Sequence, residues 1–334
     1  MKSYHHFTTL ERECLLVLLQ KNMSLRKIAT ELGRSPSTIS RELSRNAKEY
    51  RPSLAEKRYR EQRTHCRRKR ILEDPSVRGM VRELIGRHYW SPEQVCERLK
   101  KEGSSVSISI STIYRGLDNG LLWDTLRFYL RHKYKNMGKR RESRKRTCFV
   151  KLINNRPKEA HNRSELGHLE GDTITARGTD SCIVTLIDRK SRYLYAGRVA
   201  SKKTEDMNSA IVSLLARSKV PIKSITFDQG IEFSHPEELE QQLNIDVFFA
   251  HPHSPWEKPS VENINGLLRQ FYSKYNALED VLEENLNTVV FKLNLRPRKC
   301  LGWLSPFEVF FDNVLHLTCQ HACEIYIRHG ISFP

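Results

Sequence analysis

The hydrophobic residues of the N-terminal segment recur with helical spacing. Thr8 and Glu11 form a capping-box pattern ahead of the leucine-rich stretch ECLLVLLQ. The next stretch, NMSLRKIATELGRSPSTISRELSRN, repeats the helical spacing twice, and Gly33, Ser35 and Pro36 interrupt it. The pattern predicts a helix followed by a helix-turn-helix, whose second helix covers residues 37–45.

In a helix-turn-helix the second helix enters the major groove of DNA. Here that helix would bury Ile39 and Leu43 and expose short hydroxyl and arginine side chains. The residues expected to contact phosphates and base edges are Ser37, Thr38, Ser40, Arg41 and Arg45. A helical hairpin inside a larger bundle is the structural alternative, but such a bundle would not need this polar stripe.

Helical spacing recurs between residues 76 and 123. In YWSPEQVCERLK, Ser91 and Pro92 start a helix, and SISISTIYRGL supplies a second hydrophobic face. The segment resembles a degenerate helix-turn-helix in which Tyr114 and Arg115 contact DNA. A three-helix spacer without DNA contacts explains the same pattern.

From about residue 151 the spacing changes to that of β-strands. The stretches HLEGDTITA, CIVTLIDR and RYLYAGRVA are rich in β-branched and aromatic residues and predict three consecutive antiparallel strands. A helix, a strand, a short helix, a strand and a further helix follow. This order is that of the ribonuclease H-like fold, a mixed five-stranded sheet in which the first and fourth strands are neighbours.

That fold would bring together three carboxylates that lie far apart in the sequence. Asp172 falls on the first strand, Asp228 on the fourth, and Glu262 in the helix after the fifth. In that helix Glu262, Asn265 and Arg269 share the face opposite the hydrophobic stripe, and Arg269 is a further candidate DNA contact. A site in which three carboxylates converge offers only oxygen ligands, which favour Mg²⁺ or Mn²⁺. Two such ions ~3.5–4 Å apart would suit phosphoryl transfer.

Each acid taken singly also has a structural explanation, because Asp often caps a turn and Glu in a first helical turn stabilises the helix dipole. Glu257 is the alternative third acid. His251 and His253 precede it and either contact the scissile phosphate or are ordinary packed or surface imidazoles.

The charge of the chain favours nucleic acid as the partner. Lys and Arg number 57 against 39 Asp and Glu, a net charge of +18. Residues 57–70 and 127–146 hold dense basic runs with one acid each, and we expect them to be poorly ordered until phosphates neutralise them. The eight cysteines form no CxxC pair and no apolar stretch could span a bilayer, so we expect a cytoplasmic, nucleoid-associated protein without a membrane partner.

The expected chain is multidomain, with all-α helix-turn-helix domains followed by an α/β ribonuclease H-like (integrase catalytic core) domain. The expected parts are a helix-turn-helix domain (1–52), a basic linker (53–75), a second helix-turn-helix-like domain (76–123), a basic linker (124–150), the catalytic domain (151–315) and a tail (316–334).

Several strings resemble the insertion-sequence-thirty family of bacterial DDE transposases along nearly the whole chain. They are SYHHFTTLER, IATELGRSPSTISRELSRN, NNRPKEAHNRSELGHLEGDTI, IDRKSRYLYAG, ITFDQGIEFS, HPHSPWEKPSVENINGLLRQF and NLRPRKCLGWLSPFEVF. The resemblance implies that Asp172, Asp228 and Glu262 are the catalytic, metal-binding acids. The chain departs from the family's usual strings at Leu169, where Trp is usual, and at Pro259, where Gly is usual.

The resemblance also implies a reaction and its partners. The protein would bind terminal inverted repeats, hydrolyse a strand with Mg²⁺ to expose a 3′-OH, and transfer that end into target DNA as a homodimer or larger assembly. A transcription regulator with structural acids, a nonspecific nuclease and a catalytically inactive transposase copy are the alternatives.

Overall fold

The computed structural model describes residues 5–46, 50–65, 70–122, 124–130, 151–252, 254–273 and 278–315. The chain divides into two compact units, Met1–Arg70 and Ile71–Pro334. Most of the second basic run, His253 and the tail after Leu315 lie outside the described residues.

In its described residues, the first unit is a bundle of four helices. Thr8 caps the first helix in the predicted capping box, and the Ser35 side chain accepts a hydrogen bond from the Thr38 N–H at the start of the third. Gly33 adopts a left-handed φ of 62° between the second and third helices, a conformation that favours glycine. The helices are α1 (Thr9–Gln20), α2 (Leu25–Glu31), α3 (Pro36–Arg45) and α4 (Pro52–His65).

A buried arginine joins three of these helices. Arg12 of α1 is 1% exposed, donates a 2.7 Å hydrogen bond from Nε to Glu42 of α3, and pairs with Glu56 of α4. Ala55 of α4 is also buried in the core of this unit. The expectation of poor order is therefore wrong for residues 57–65 of the first basic run, because Ala55 and Glu56 hold α4 against α1. Residues 66–69 of that run lie outside the described residues.

The second unit contains a mixed sheet in the order β3-β2-β1-β4-β5. The pairs β1–β2 and β2–β3 are antiparallel, whereas β1–β4 and β4–β5 are parallel. The predicted ribonuclease H-like fold with neighbouring first and fourth strands is confirmed. The strands are β1 (His168–Thr175), β2 (Cys182–Asp188), β3 (Leu194–Val199), β4 (Ser224–Phe227) and β5 (Asp246–Phe249).

Helices cover both faces of this sheet, which explains why every residue of β2 is buried. Val184 packs in one hydrophobic cluster with Ile211, and Ile183 packs in another with Ile264. The helices of this unit are α5 (Pro75–Gly86), α6 (Pro92–Lys101), α7 (Ile110–Asp118), α8 (Lys158–Asn162), α9 (Thr204–Leu215), α10 (Pro236–Leu243), α11 (Pro259–Leu268), α12 (Glu283–Asn294) and α13 (Pro306–Phe311).

Helices α5–α7, the second helix-turn-helix-like segment, share a hydrophobic core with Phe307 of α13 and Leu315. Arg98 of α6 is fully buried and donates 2.6 and 2.9 Å hydrogen bonds to the two carboxylate oxygens of Glu308. Gln94 donates a 2.8 Å hydrogen bond to the Pro297 carbonyl. These contacts join α6 to the C-terminal part of the sheet domain. Among the described residues, no helix has the length and apolar character needed to cross a bilayer.

We expect Arg98→Leu to lower the free energy of unfolding of this unit by about 3–5 kcal/mol, because it leaves the buried Glu308 carboxylate without its partner. Arg87→Ala is the matched control, since Arg87 is largely exposed and lies 3.7 Å from Glu83. Urea denaturation of the full-length protein measures both changes. Equal stability of the two variants would contradict the structural role of the Arg98 pair.

Candidate active site

The parallel pairing of β1 with β4 positions two of the predicted acids. Leu169 pairs with Ile225 and Glu170 with Thr226. The same register, continued two residues further, sets Asp172 level with Asp228, which directly follows β4. These two aspartates are therefore neighbours on adjacent central strands of the sheet.

Asp172 is held by hydrogen bonds to both carboxylate oxygens. The Thr173 N–H donates to Oδ1 at 2.9 Å, and Asn265 Nδ2 donates to Oδ2 at 2.8 Å. Burial raises the pKa of the Asp172 carboxyl above its usual value, the Lys258 charge opposes this rise, and the Asp228 charge adds to it. Asp172 is thus a fixed, partly buried carboxylate with a second carboxylate nearby.

Lys258 brings a cation to the same place. Its side chain is 7% exposed, and Nζ donates a 3.0 Å hydrogen bond to the Gly171 carbonyl and lies 3.7 Å from Oδ1 of Asp228. The ammonium group offsets part of the repulsion between the two aspartates. Sequence reasoning missed Lys258, because one lysine in a basic chain carries no signal of burial.

Helix α11 runs along β1 and carries Glu262 in its first turn. On the same face, Asn265 reaches Asp172, and Arg269 Nη2 donates a 2.7 Å hydrogen bond to the Thr175 carbonyl. Glu262 itself is exposed. Within the described ranges, no three His, Cys, Asp or Glu side chains stand close enough to hold a metal ion, so Glu262 does not join the two aspartates in a preformed cluster.

Glu170 ties β1 to the start of α11. Its fully buried carboxylate accepts hydrogen bonds from the N–H groups of Ser260 and Val261, at 2.9 and 3.1 Å, and pairs with Arg189. Helix α11 has no side-chain cap of its own, so this strand residue satisfies its first-turn donors. Sequence reasoning missed Glu170 because strand and helix are about 90 residues apart.

The other acids near the site have different partners. Glu257, the alternative third acid, accepts a 2.7 Å hydrogen bond from the His251 N–H and contacts the His251 ring at 2.8 Å. Glu232 accepts a 3.0 Å hydrogen bond from Thr173 Oγ1, and its charge contributes to the raised pKa of Asp172. The Glu257 carboxylate is therefore occupied by hydrogen bonds with His251 of the same loop.

The donor chemistry of the site fits a hard divalent cation. Asp172 and Asp228 offer carboxylate oxygens, the ligands that Mg²⁺ and Mn²⁺ prefer. Asn265 donates to Asp172 in the way that partners of a metal-binding carboxylate orient it.

The predicted DNA contacts lie in three places. Ser37, Ser40, Arg41 and Arg45 are exposed on α3, while Thr38 is partly buried and bonded to Ser35. On α7, Tyr114 is 48% exposed and Arg115 is exposed.

Arg269 differs from these exposed residues. It is partly buried beside the acids, and its Nη1 atom is buried without a hydrogen-bond partner. The α3 and α7 side chains are thus open to a large ligand, whereas Arg269 belongs to the site itself.

Two comparisons concern parts of the chain. Residues 3–46 match the family model described as a helix-turn-helix domain, which covers α1–α3. Among solved structures, the catalytic core domain of BIV integrase is 18% identical and covers 44% of this chain and 94% of its own. The TM-score of this match is 0.35.

Curated relatives match nearly the whole chain. The transposase InsI of insertion sequence element IS30A from Escherichia coli K12 is 35% identical over 91% of this chain and 83% of its own length. The transposase of IS4351 from Bacteroides fragilis is 32% identical over 91% and 95%, and that of IS1086 from Cupriavidus metallidurans is 31% identical over 92% and 94%. With its helix-turn-helix and ribonuclease H-like folds, the chain belongs to the IS30 family of insertion-sequence transposases.

Proposed function

We propose that this protein cleaves DNA at the ends of an insertion sequence and transfers the exposed 3′-OH into target DNA, using Mg²⁺ or Mn²⁺. The β1–β4 register that sets Asp172 level with Asp228, with α11 fixed alongside, carries the proposal. The carboxylates of Asp172, Asp228 and Glu262 would together hold two of these metal ions. Bound there, the metal would supply activation of the attacking oxygen and stabilisation of the leaving 3′ oxygen.

The side chains around these acids keep the site in order for the reaction. Asn265 holds Asp172 in one orientation, and Thr185 Oγ1 in turn donates a 2.9 Å hydrogen bond to Asn265 Oδ1. Lys258 keeps positive charge beside Asp228 before any cation arrives. Glu170 fixes the start of α11 and thereby the position from which Glu262 reaches the site.

The exposed face of α3 would recognise the terminal inverted repeats, with α7 as a second contact. A helix-turn-helix places such a face in the major groove, where arginine reads guanine and contacts phosphates. Joining two element ends to one target requires more than one active site, so the working form is a homodimer or larger assembly on DNA.

We expect Glu262→Gln to reduce cleavage and strand transfer by more than about 100-fold, because it removes a charged metal ligand while keeping the shape of the side chain. DNA binding should persist. Glu257→Gln is the matched control on the preceding loop and should retain most activity. The assay is nicking and strand joining on DNA that carries the element ends.

The opposite pattern, with activity abolished in Glu257→Gln and kept in Glu262→Gln, would reassign the third acid. Specific binding that survives chelation, with no cleavage by the unaltered protein, would support a regulator or an inactive copy instead.

We expect Arg41→Ala with Arg45→Ala to weaken binding to the inverted repeats and to make binding less dependent on salt. The slope of log K against log salt should fall by about one unit for each phosphate that the variant no longer neutralises. Both side chains are exposed, so thermal stability should hold. Arg217→Ala, an exposed arginine just after α9, removes the same kind of charge as a control. Weakening by the control of about half that size, in proportion to its single charge, would mean that net charge alone drives binding.

We expect Glu170→Gln to lower the affinity for Mn²⁺ by roughly 10–100-fold. The start of α11 would lose its charged cap, and the helical turn that carries Glu262 would no longer be held in position. Titration followed by the Mn²⁺ electron paramagnetic resonance signal measures this without DNA. Glu165→Gln, at a partly exposed pair with Lys223, is the control. Unchanged affinity in folded Glu170→Gln would contradict the positioning role.

A further inference from the structure

A cavity of about 700 Å³ lies beside the segment that leads into α11. The cavity is lined by Trp256 and Pro259 of that segment and by residues in and around α8. Pro259 is the first residue of α11, one turn ahead of Glu262. The cavity therefore borders the candidate active site, although Asp172, Asp228 and Glu262 are not among the residues that line the cavity.

Positive charge dominates the cavity lining. Glu257 is the one carboxylate among the described lining residues, and it is bonded to His251 on its own loop. The cationic lining residues are Arg156, Lys158, Arg163 and Arg189.

The cations of the lining have few partners in the protein. Arg189 pairs with Glu170, but the side chains of Lys158 and Arg163 make no hydrogen bond or ion pair with any other described residue. Arg156 is 8% exposed, and its Nη1 and Nη2 atoms make only long contacts, at 3.5 Å to Thr226 Oγ1 and 3.4 Å to His161 Nδ1. Its Nε atom is buried with no hydrogen-bond partner. A buried guanidinium nitrogen without an acceptor is costly, so the lining offers donors and positive charge that a bound anion would match.

The environment of these arginines works against their charge. Burial lowers the pKa of Arg156 and Arg163, and lowers that of Arg189 to about 10. The Glu170 carboxylate raises each of these pKa values in part, and the charges of neighbouring arginines lower them. A bound anion would relieve that repulsion and provide the missing acceptors.

The cavity also offers an aromatic surface. The indole of Trp256 is 72% exposed at the cavity, where Asn154 and Asn162 supply amide groups. An exposed indole provides a face on which an unpaired base can stack, and arginine binds phosphate oxygens in pairs. Pockets of about 300–1,000 Å³ are of the size that encloses small ligands, so a nucleotide fits the volume.

We propose that this cavity binds one nucleotide of the DNA strand beside the scissile bond, with its phosphate on Arg156, Lys158 and Arg163 and its base on Trp256. The inference rests on the proposed function, because it assigns the cavity to the same DNA substrate. Lys158 and Arg163 are binding residues in this account and take no part in bond cleavage.

A titration of the full-length protein with the 5′-phosphorylated thymidine dinucleotide in EDTA tests the cavity, with tryptophan fluorescence as the signal. Lys158→Gln and Arg163→Gln should each weaken binding about tenfold or more, since each removes a hydrogen bond to a charged group. Trp256→Ala should abolish most of the fluorescence change. Lys203→Gln, at an exposed lysine before α9, should leave the affinity unchanged.

Thermal unfolding of each variant confirms that it is folded. Affinities of Lys158→Gln and Arg163→Gln equal to that of the unaltered protein, or no binding by the unaltered protein, would overturn the proposal. The titration needs neither metal nor cleavage, so failure of the proposed function appears separately, as intact DNA in the presence of Mg²⁺. In the cleavage assay Lys158→Gln should raise KM for DNA that carries the element ends and leave kcat nearly unchanged. A lower kcat with an unchanged KM would contradict a binding role.

Discussion

The buried carboxylate of Glu170 connects the two elements on which the candidate active site depends. An isolated carboxylate in an apolar interior is costly, so its charge must be matched by a cation and hydrogen-bond donors. Here Arg189 supplies the cation, and the first turn of α11 supplies backbone donors. Because Glu170 is two positions before Asp172 on β1, this interaction fixes the strand of the first acid against the helix of the third.

The site combines this rigid frame with unfavourable electrostatics. Asp172 and Asp228 come close together at the end of the sheet, and burial already disfavours the charged form of Asp172. Lys258 offsets part of that repulsion, and Glu262 remains in solvent. Such unfavourable electrostatics are common at functional sites, where stability is given up for function.

Much of the fold and of the acid positions could be predicted from the sequence. Strand and helix spacing indicated the element order, and the order placed Asp172 and Asp228 on neighbouring strands. What could not be predicted depends on tertiary contacts: the burial of Lys258 and Glu170 follows from packing against distant residues. The density of basic residues wrongly predicted that residues 57–65 are poorly ordered. That prediction left out Ala55 and Glu56, which hold α4 against α1.

The second helix-turn-helix-like segment shows the same limit. Its helical spacing was readable, but nothing in that spacing indicates that Arg98 reaches Glu308 or that Phe307 shares its core. Local periodicity identifies the buried face of a helix without identifying the partner. The partner here belongs to the end of the sheet domain, so α6 is attached to the part of the chain that carries the acids.

Anomalous diffraction from crystals of the protein grown with Mn²⁺ would test the central claim most directly, because it locates the metal independently of activity. The account predicts a manganese peak between the carboxylates of Asp172 and Asp228, with Glu262 turned in from solvent as a ligand. A manganese ion bound away from these aspartates, or held by Glu232 or Glu257 in place of Glu262, would contradict it.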